Sequence, residues 1–210
     1  MKTNPSWFSA KGGGSDQVKG MDTSQFPVEN VSWEDAVAFC KKLSELPEEK
    51  RAGRVYRLPT EAEWEYSGRG GTITPFHYGI SLSSTQANFD GNYPYGDAAK
   101  GPYLKRTTKV GSYKPNAFGL HDMHGNIGEW CADWFAENYY SQSPKQNPQG
   151  PRDGEDRVVR GGSWSYNGSH CRAAHRLKLA PGFRNFIVGF RVVLAIAAKS
   201  PPKNPETAPA

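Results

Sequence analysis

Residues 116–130 read Asn-Ala-Phe-Gly-Leu-His-Asp-Met-His-Gly-Asn-Ile-Gly-Glu-Trp. The stretch has neither the period of an amphipathic helix nor the strict alternation of a half-buried strand. Gly and Asn, which tolerate turn conformations, punctuate it throughout. The same texture runs from residue 68 onward, rich in Gly, Asn, Pro and Tyr. Only short strand-like pieces interrupt it, such as Val158-Val159-Arg160 and Phe190-Arg191-Val192-Val193. Long loops without regular structure are uncommon in compact domains and usually carry function. The expectation for most of the chain is therefore loop-dominated β structure.

Working outward toward the N-terminus, helix signals appear. Ser32 precedes Trp33-Glu34-Asp35, with Asp35 placed to complete a capping box and both acids at the positive helix end. Ala36, Phe39, Cys40 and Leu43 then share one helical face, with Cys40 read as a small buried hydrophobe. A short strand, Val55-Tyr56-Arg57-Leu58, leads through Pro59 to a second start at Thr60. Thr60 and Glu63 have capping-box spacing, and Trp64 should face inward from a brief helix. Residues 1–25, rich in Gly, Ser and Lys, read as an irregular lead-in. Residues 1–198 form the expected domain, and the Pro-rich tail 199–210 is expected to be disordered.

At 210 residues and 36% hydrophobic content, the chain suits one domain or at most two. No apolar run approaches the roughly 20 residues of a membrane helix. The first residues lack the apolar stretch of a secretion signal, which favours a cytoplasmic chain or a piece of a longer one. The formal charge of +5 comes from scattered residues: Lys41-Lys42, Lys100, Lys105-Arg106, Arg157, Arg160, Arg172 and Arg176. Without a concentrated run, a solvated surface is favoured over nucleic-acid binding. Three cysteines, Cys40, Cys131 and Cys171, are too few for a disulfide scaffold, and no C-x-x-C pair indicates structural zinc. His121 and His124, with Glu129 following, have metal-like spacing, yet no third histidine clusters with them. Hydrogen bonds to loop backbone are the favoured role for both.

Five ordered segments resemble one family. They are Phe26-Pro-Val-Glu-Asn-Val-Ser-Trp-Glu-Asp-Ala, Arg57-Leu-Pro-Thr-Glu-Ala-Glu-Trp-Glu-Tyr, the 116–130 stretch, Arg160-Gly-Gly-Ser-Trp, and Gly189-Phe-Arg-Val. Together they resemble the sulfatase-modifying-factor domain of formylglycine-generating enzymes, a variant of the C-type lectin fold, over about residues 4–194. The resemblance implies an α+β architecture: two helices, short antiparallel strands and long irregular loops. In character it is nearest to non-catalytic members such as retroelement-diversified variable proteins. Relative to the family an N-terminal strand and helix are expected to be missing, so the domain reads as truncated there. Family members are often fused to kinase or other signalling domains.

Catalytic members are implied to oxidise a sulfatase cysteine to formylglycine with two cysteines that bind one copper ion. That pair follows Gly-Gly-Ser-aromatic; here Gly161-Gly162-Ser163-Trp164 is present, Tyr166 holds the first place, and only Cys171 remains. A phenol is no soft ligand for Cu(I), so copper is not expected and the chain is read as a non-catalytic module. The alternative is a formylglycine-generating oxidase, or a divergent relative using Cys171 with Ser163. The iron-dependent branch of the family needs three histidines from a helical domain that this sequence does not contain. The resemblance also implies structural Ca²⁺ held by side-chain oxygens of Asp122 and Glu129 with carbonyls of Gly125 and Ile127. A second family site begins at Asn88-Phe89, but its acidic partner is lost around Lys100–Tyr103.

Residues 165–187 are framed by Gly161–Trp164, Cys171-Arg172-Ala173-Ala174, Arg176, Pro181, Arg184 and Gly189-Phe190-Arg191. The framing resembles the variable region of retroelement-diversified ligand-binding proteins. Candidate ligand-binding residues are Ser165, Tyr166, Asn167, Ser169, His170, His175, Leu177, Lys178, Phe183, Asn185 and Phe186. All but Lys178 fall within the residue set that asparagine-codon diversification leaves. Aromatic and adaptable polar side chains give contact area at modest entropic cost. Tyr166 and His170 are expected at the surface, Phe186 and Ile187 evenly balanced between surface and core. Leu177 and Leu179 can pack inward instead. The expected partner is a protein or other extended ligand.

Overall fold

Both capping boxes form in the computed structural model, which describes residues 3–196. The Ser32 hydroxyl accepts from the Asp35 N–H, and the Asp35 carboxylate accepts from the Ser32 N–H, opening helix α1 (Trp33–Ser44). Thr60 and Glu63 make the same reciprocal pair at the start of α3 (Glu61–Arg69), which ends on Gly70 at φ 55°. Satisfying these otherwise unpaired N–H groups fixes where each helix enters. Between them lie a single turn of helix, α2 (Pro47–Arg51), and strand β1 (Arg54–Arg57). The tail 199–210 lies outside the described residues.

Two sheets follow. β2 (Gly128–Trp134), β3 (Arg157–Arg160), β4 (Leu177–Leu179) and β5 (Val188–Gly189) form one, in the order β4-β3-β2-β5. The β2–β5 pair is parallel and the others antiparallel, with Glu129 opposite Arg160 and Trp130 opposite Val159. β1 pairs antiparallel with β6 (Val193–Ile196) in a second, two-stranded sheet. The strand expected at 190–193 is thus shifted, with 190–192 forming the link between β5 and β6. The fold is α+β, with few helices and small sheets joined by long loops.

Trp130 sits at the centre with no exposed surface, and its indole N–H donates to the Val31 carbonyl at 3.0 Å. That bond ties the central strand to the entrance of α1. Ala36, Cys40 and Leu58 close over it, and Trp64 is likewise buried. Phe39 departs from the expected inward face: it is 37% exposed and packs edge-on against Phe190. The lead-in is irregular apart from a 3₁₀ turn at Ser15–Val18, but it is part of the core. Phe8 and Val18 are buried in one cluster with Trp164, and the Phe8 N–H donates to the buried Glu29 carboxylate. All three cysteines are buried and unpaired.

Candidate functional site

The segment after β3 leaves the sheet through two glycines at φ 98° and 74°, Gly161 and Gly162. A Cβ on Gly162 would lie 2.8 Å from Cys171 Sγ and 2.9 Å from the His170 carbonyl, so only glycine lets the returning chain approach this closely. That return is a 3₁₀ turn, Gly168–Cys171, capped by Asn167. The Asn167 Oδ1 accepts from the Ser169 N–H and hydroxyl and lies 2.7 Å from His170 Nδ1. Backbone bonds from Asp90 to Tyr166 and from Gly168 to Tyr93 anchor the turn from the other side. Tyr166, His170 and His175 then stand together, with ring centroids 5.2 and 4.7 Å apart. Tyr166 and His170 are half-buried, less open than the sequence led us to expect.

Beneath this surface lies Cys171, fully buried among Phe76, Leu82, Ala87 and Phe89. Burial pushes its thiol up to about 12, away from the thiolate that metal binding or nucleophilic attack needs. Ser163 is also fully buried, its hydroxyl 3.2 Å from that of Ser165.

The remaining candidates scatter over the molecule. Lys178 is exposed on β4 and lies 3.6 Å from Asp156. Phe183 is exposed close to the start of α1, where the neighbouring Arg184 pairs with Asp35 at 2.8 Å. Asn185 serves the backbone, its side chain accepting from the Ile187 N–H and its carbonyl from Asn30 and Val188. Leu177 and Leu179 are half-buried and pack against the core cluster around Trp130. Phe186 and Ile187 pack into the cluster of Phe8, Val18 and Trp164. The outward-facing part of the segment is accordingly smaller than the expected set, because its large aliphatic and one of its aromatic residues fill core space.

What holds the segment is a buried ion-pair network. The Arg160 guanidinium, with no exposed surface, pairs with Glu65 and donates to the carbonyls of Ala173 and His175. Arg176 forms a two-pronged bond to Glu61 at 2.6 and 2.8 Å and lies over the rings of Phe135 and Tyr140. Sequence reading placed the arginines in the frame but missed their acidic partners on α3. The spacing of Glu61 and Glu65 on one helical face was the available signal.

The 122–129 loop is built from left-handed residues: Asp122, Gly125 and Asn126 have φ of 57°, 89° and 65°. Asp122 Oδ2 accepts from the Gly111 N–H, whereas Oδ1 is withdrawn from solvent with no partner among the described residues. Burial raises the carboxyl pKa of Asp122. Such an orphaned oxygen fits a bound cation. Glu129 is already engaged: Arg191 Nη2 donates to its Oε1 at 2.7 Å and the Trp64 indole to its Oε2 at 2.6 Å. The Gly125 carbonyl accepts from the Ile127 N–H. At the second position, the Asn88 carbonyl accepts from Asn126, its amide donates to the Arg106 carbonyl and to the Asn126 side chain, and Phe89 lies in the core. Among the described residues no three His, Cys, Asp or Glu side chains converge as a metal cluster. His121 contacts the Tyr113 carbonyl and His124 the Cys171 carbonyl, both at 2.8 Å. His124 Nε2 also accepts from the His77 N–H, and burial pushes its pKa down to about 3.

Residues 2–196 match the family described as the sulfatase-modifying factor enzyme 1-like domain. The chain belongs to this family. It is 36% identical over 200 residues to the formylglycine-generating enzyme of Streptomyces coelicolor, covering 89% of this chain and 60% of that protein. The mouse formylglycine-generating enzyme is also 36% identical, with 89% of this chain and 50% of the relative covered. The chain thus spans about half to three-fifths of the length of these relatives. Among solved structures, Treponema denticola variable protein 1 superposes with a TM-score of 0.71 at 28% identity, covering 93% of this chain and 78% of that one. This sulfatase-modifying-factor domain therefore shares its fold with both enzymes and a variable protein. Among its described residues no helix is long and apolar enough to cross a membrane.

Proposed function

We propose that this domain is a non-catalytic ligand-binding module that recognises a protein or other extended ligand through the outward part of residues 165–187. One observation carries the reading: Tyr166 stands where the resemblance places the first copper-binding sulfur, and Cys171 is sealed in an apolar cluster. The likeness to Treponema denticola variable protein 1 supports it. Tyr166 and His170 offer rigid aromatic contact on a turn locked by Asn167 and Gly162, and Phe183 adds an exposed ring near the start of α1. The test is alanine substitution at Tyr166, His170 and Phe183 followed by affinity measurement against a captured partner. Loss of affinity supports the reading, and unchanged affinity in all three overturns it.

The second reading, an oxidase of the formylglycine-generating type, is favoured by the 36% identity to such enzymes. Titration with Cu(I) against a chelator separates the two. A lone buried thiol predicts no stoichiometric tight binding, because soft two-coordinate copper wants a second sulfur. We further propose that the 122–129 loop holds a structural Ca²⁺ through Asp122 Oδ1 and the Ile127 carbonyl, with Glu129 and the Gly125 carbonyl joining only by sharing oxygens that already accept from Arg191, Trp64 and the Ile127 N–H. Calcium would be expected to raise the unfolding temperature, and Asp122→Ala to remove that increment.

A further inference from the structure

Four polar side chains of the 166–175 turn keep hydrogen-bonding capacity that the described residues do not fill. Arg172 donates its Nε–H to the Ser169 carbonyl at 2.9 Å, and no carboxylate pairs with its guanidinium among the described residues. His175 Nε2 is withdrawn from solvent and also lacks a hydrogen-bond partner there. The Tyr166 hydroxyl makes no hydrogen bond within the described residues. His170 uses Nδ1 toward Asn167, which turns its other ring nitrogen away from that contact. Buried polar atoms in proteins are seldom left unmatched, so the unmatched His175 nitrogen beside three partly exposed donors points to something supplied from outside.

The sign of the surroundings decides what that is. Burial, then His170, Arg172 and Arg160 in turn, push the His175 pKa down to about 4. Arg160 is already paired with Glu65, but His170 and Arg172 meet no carboxylate among the described residues, which opposes a metal cation. Among the described residues no third ligand of the usual metal-binding types converges there either. The same surroundings favour negative charge, and a guanidinium beside imidazoles and a phenol is a donor set for oxygen acceptors.

We propose that Tyr166, His170, Arg172 and His175 bind an anionic oxygen group of the ligand, a carboxylate, sulfate or phosphate. The assignment rests on the binding-module reading and gives that ligand its chemical class. Arg172 supplies the fixed charge, and the two histidines and the Tyr166 hydroxyl supply directional donors. On a protein ligand the group would be an acidic side chain or a chain terminus, on a glycan or modified ligand a sulfate or phosphate.

The test is histidine-resolved NMR of the whole chain, titrated separately with sodium acetate, sulfate and phosphate at constant ionic strength. Saturable shifts are expected at His170 and His175 but not at His121, and the best anion of the three identifies the source. Loss of a charge-assisted hydrogen bond in Arg172→Gln should weaken the interaction about tenfold, with Arg172→Lys retaining more of it. His175→Gln, which keeps a donor, provides a second variant should Arg172→Gln unfold. No saturable shift with any anion, or saturation by Zn²⁺ alone, would overturn the assignment. If alanine at Tyr166 and Phe183 releases a captured partner while no anion binds, the binding surface stands and only its anionic chemistry falls.

Discussion

The frame and the turn it carries treat polar groups in opposite ways. In the frame, Arg160 with Glu65, Arg176 with Glu61 and Arg191 with Glu129 balance charge inside the protein. In the turn, Arg172 has no carboxylate partner among the described residues and His175 Nε2 has no acceptor or donor. The frame's arginines meet carboxylates of the chain itself, whereas Tyr166, His170, Arg172 and His175 face no charged partner of opposite sign among the described residues. A scaffold whose stability does not depend on its presented residues can vary them without unfolding.

Several substitutions sharpen or break this contrast. Arg160→Ala leaves Glu65 and nearby Glu61 facing an emptied, buried site, and should cost about 3–5 kcal/mol in urea unfolding. Acid should act next. His124 is held neutral with its pKa down at about 3, against 6.5 when unfolded, so the unfolded chain binds an extra proton between those values. Its contribution to stability is full above pH 6.5 and declines as pH falls toward 3, by up to about 1.4 kcal/mol per pH unit. A urea midpoint independent of pH over that window would contradict the assignment, and His124→Phe should flatten the slope. Thr60→Ala removes one arm of a capping box and should cost about 1 kcal/mol. At the small end, His170→Ala and Phe183→Ala should change stability by about 0.5 kcal/mol or less while altering ligand affinity. If either costs as much as Arg160→Ala, the division between frame and presented turn fails.

Local signals carried the helices, and the family resemblance carried much of the rest. Both capping boxes and the inward Trp64 were legible because each depends on residues a few positions apart. β2 was not, since Gly128–Cys131 is buried on both faces and shows no alternation. Nor was the burial of the Gly-rich lead-in, which rests on Glu29, far along the chain, reaching back to the Phe8 N–H. Tyr166 and His170 stood out at the candidate site as chemically mixed positions inside a fixed frame. Asn167 and Asn185 looked the same in sequence, yet they are spent on holding backbone. Leu177 and Phe186 fill core space that only the folded chain defines.

The central claim is that this scaffold grips a ligand and performs no oxidation. The most direct measurement is mass spectrometry of a C-x-P-x-R peptide incubated aerobically with the purified chain after loading with Cu(I). The account predicts an unchanged cysteine. Catalytic accumulation of the aldehyde, abolished by Cys171→Ser, would contradict it.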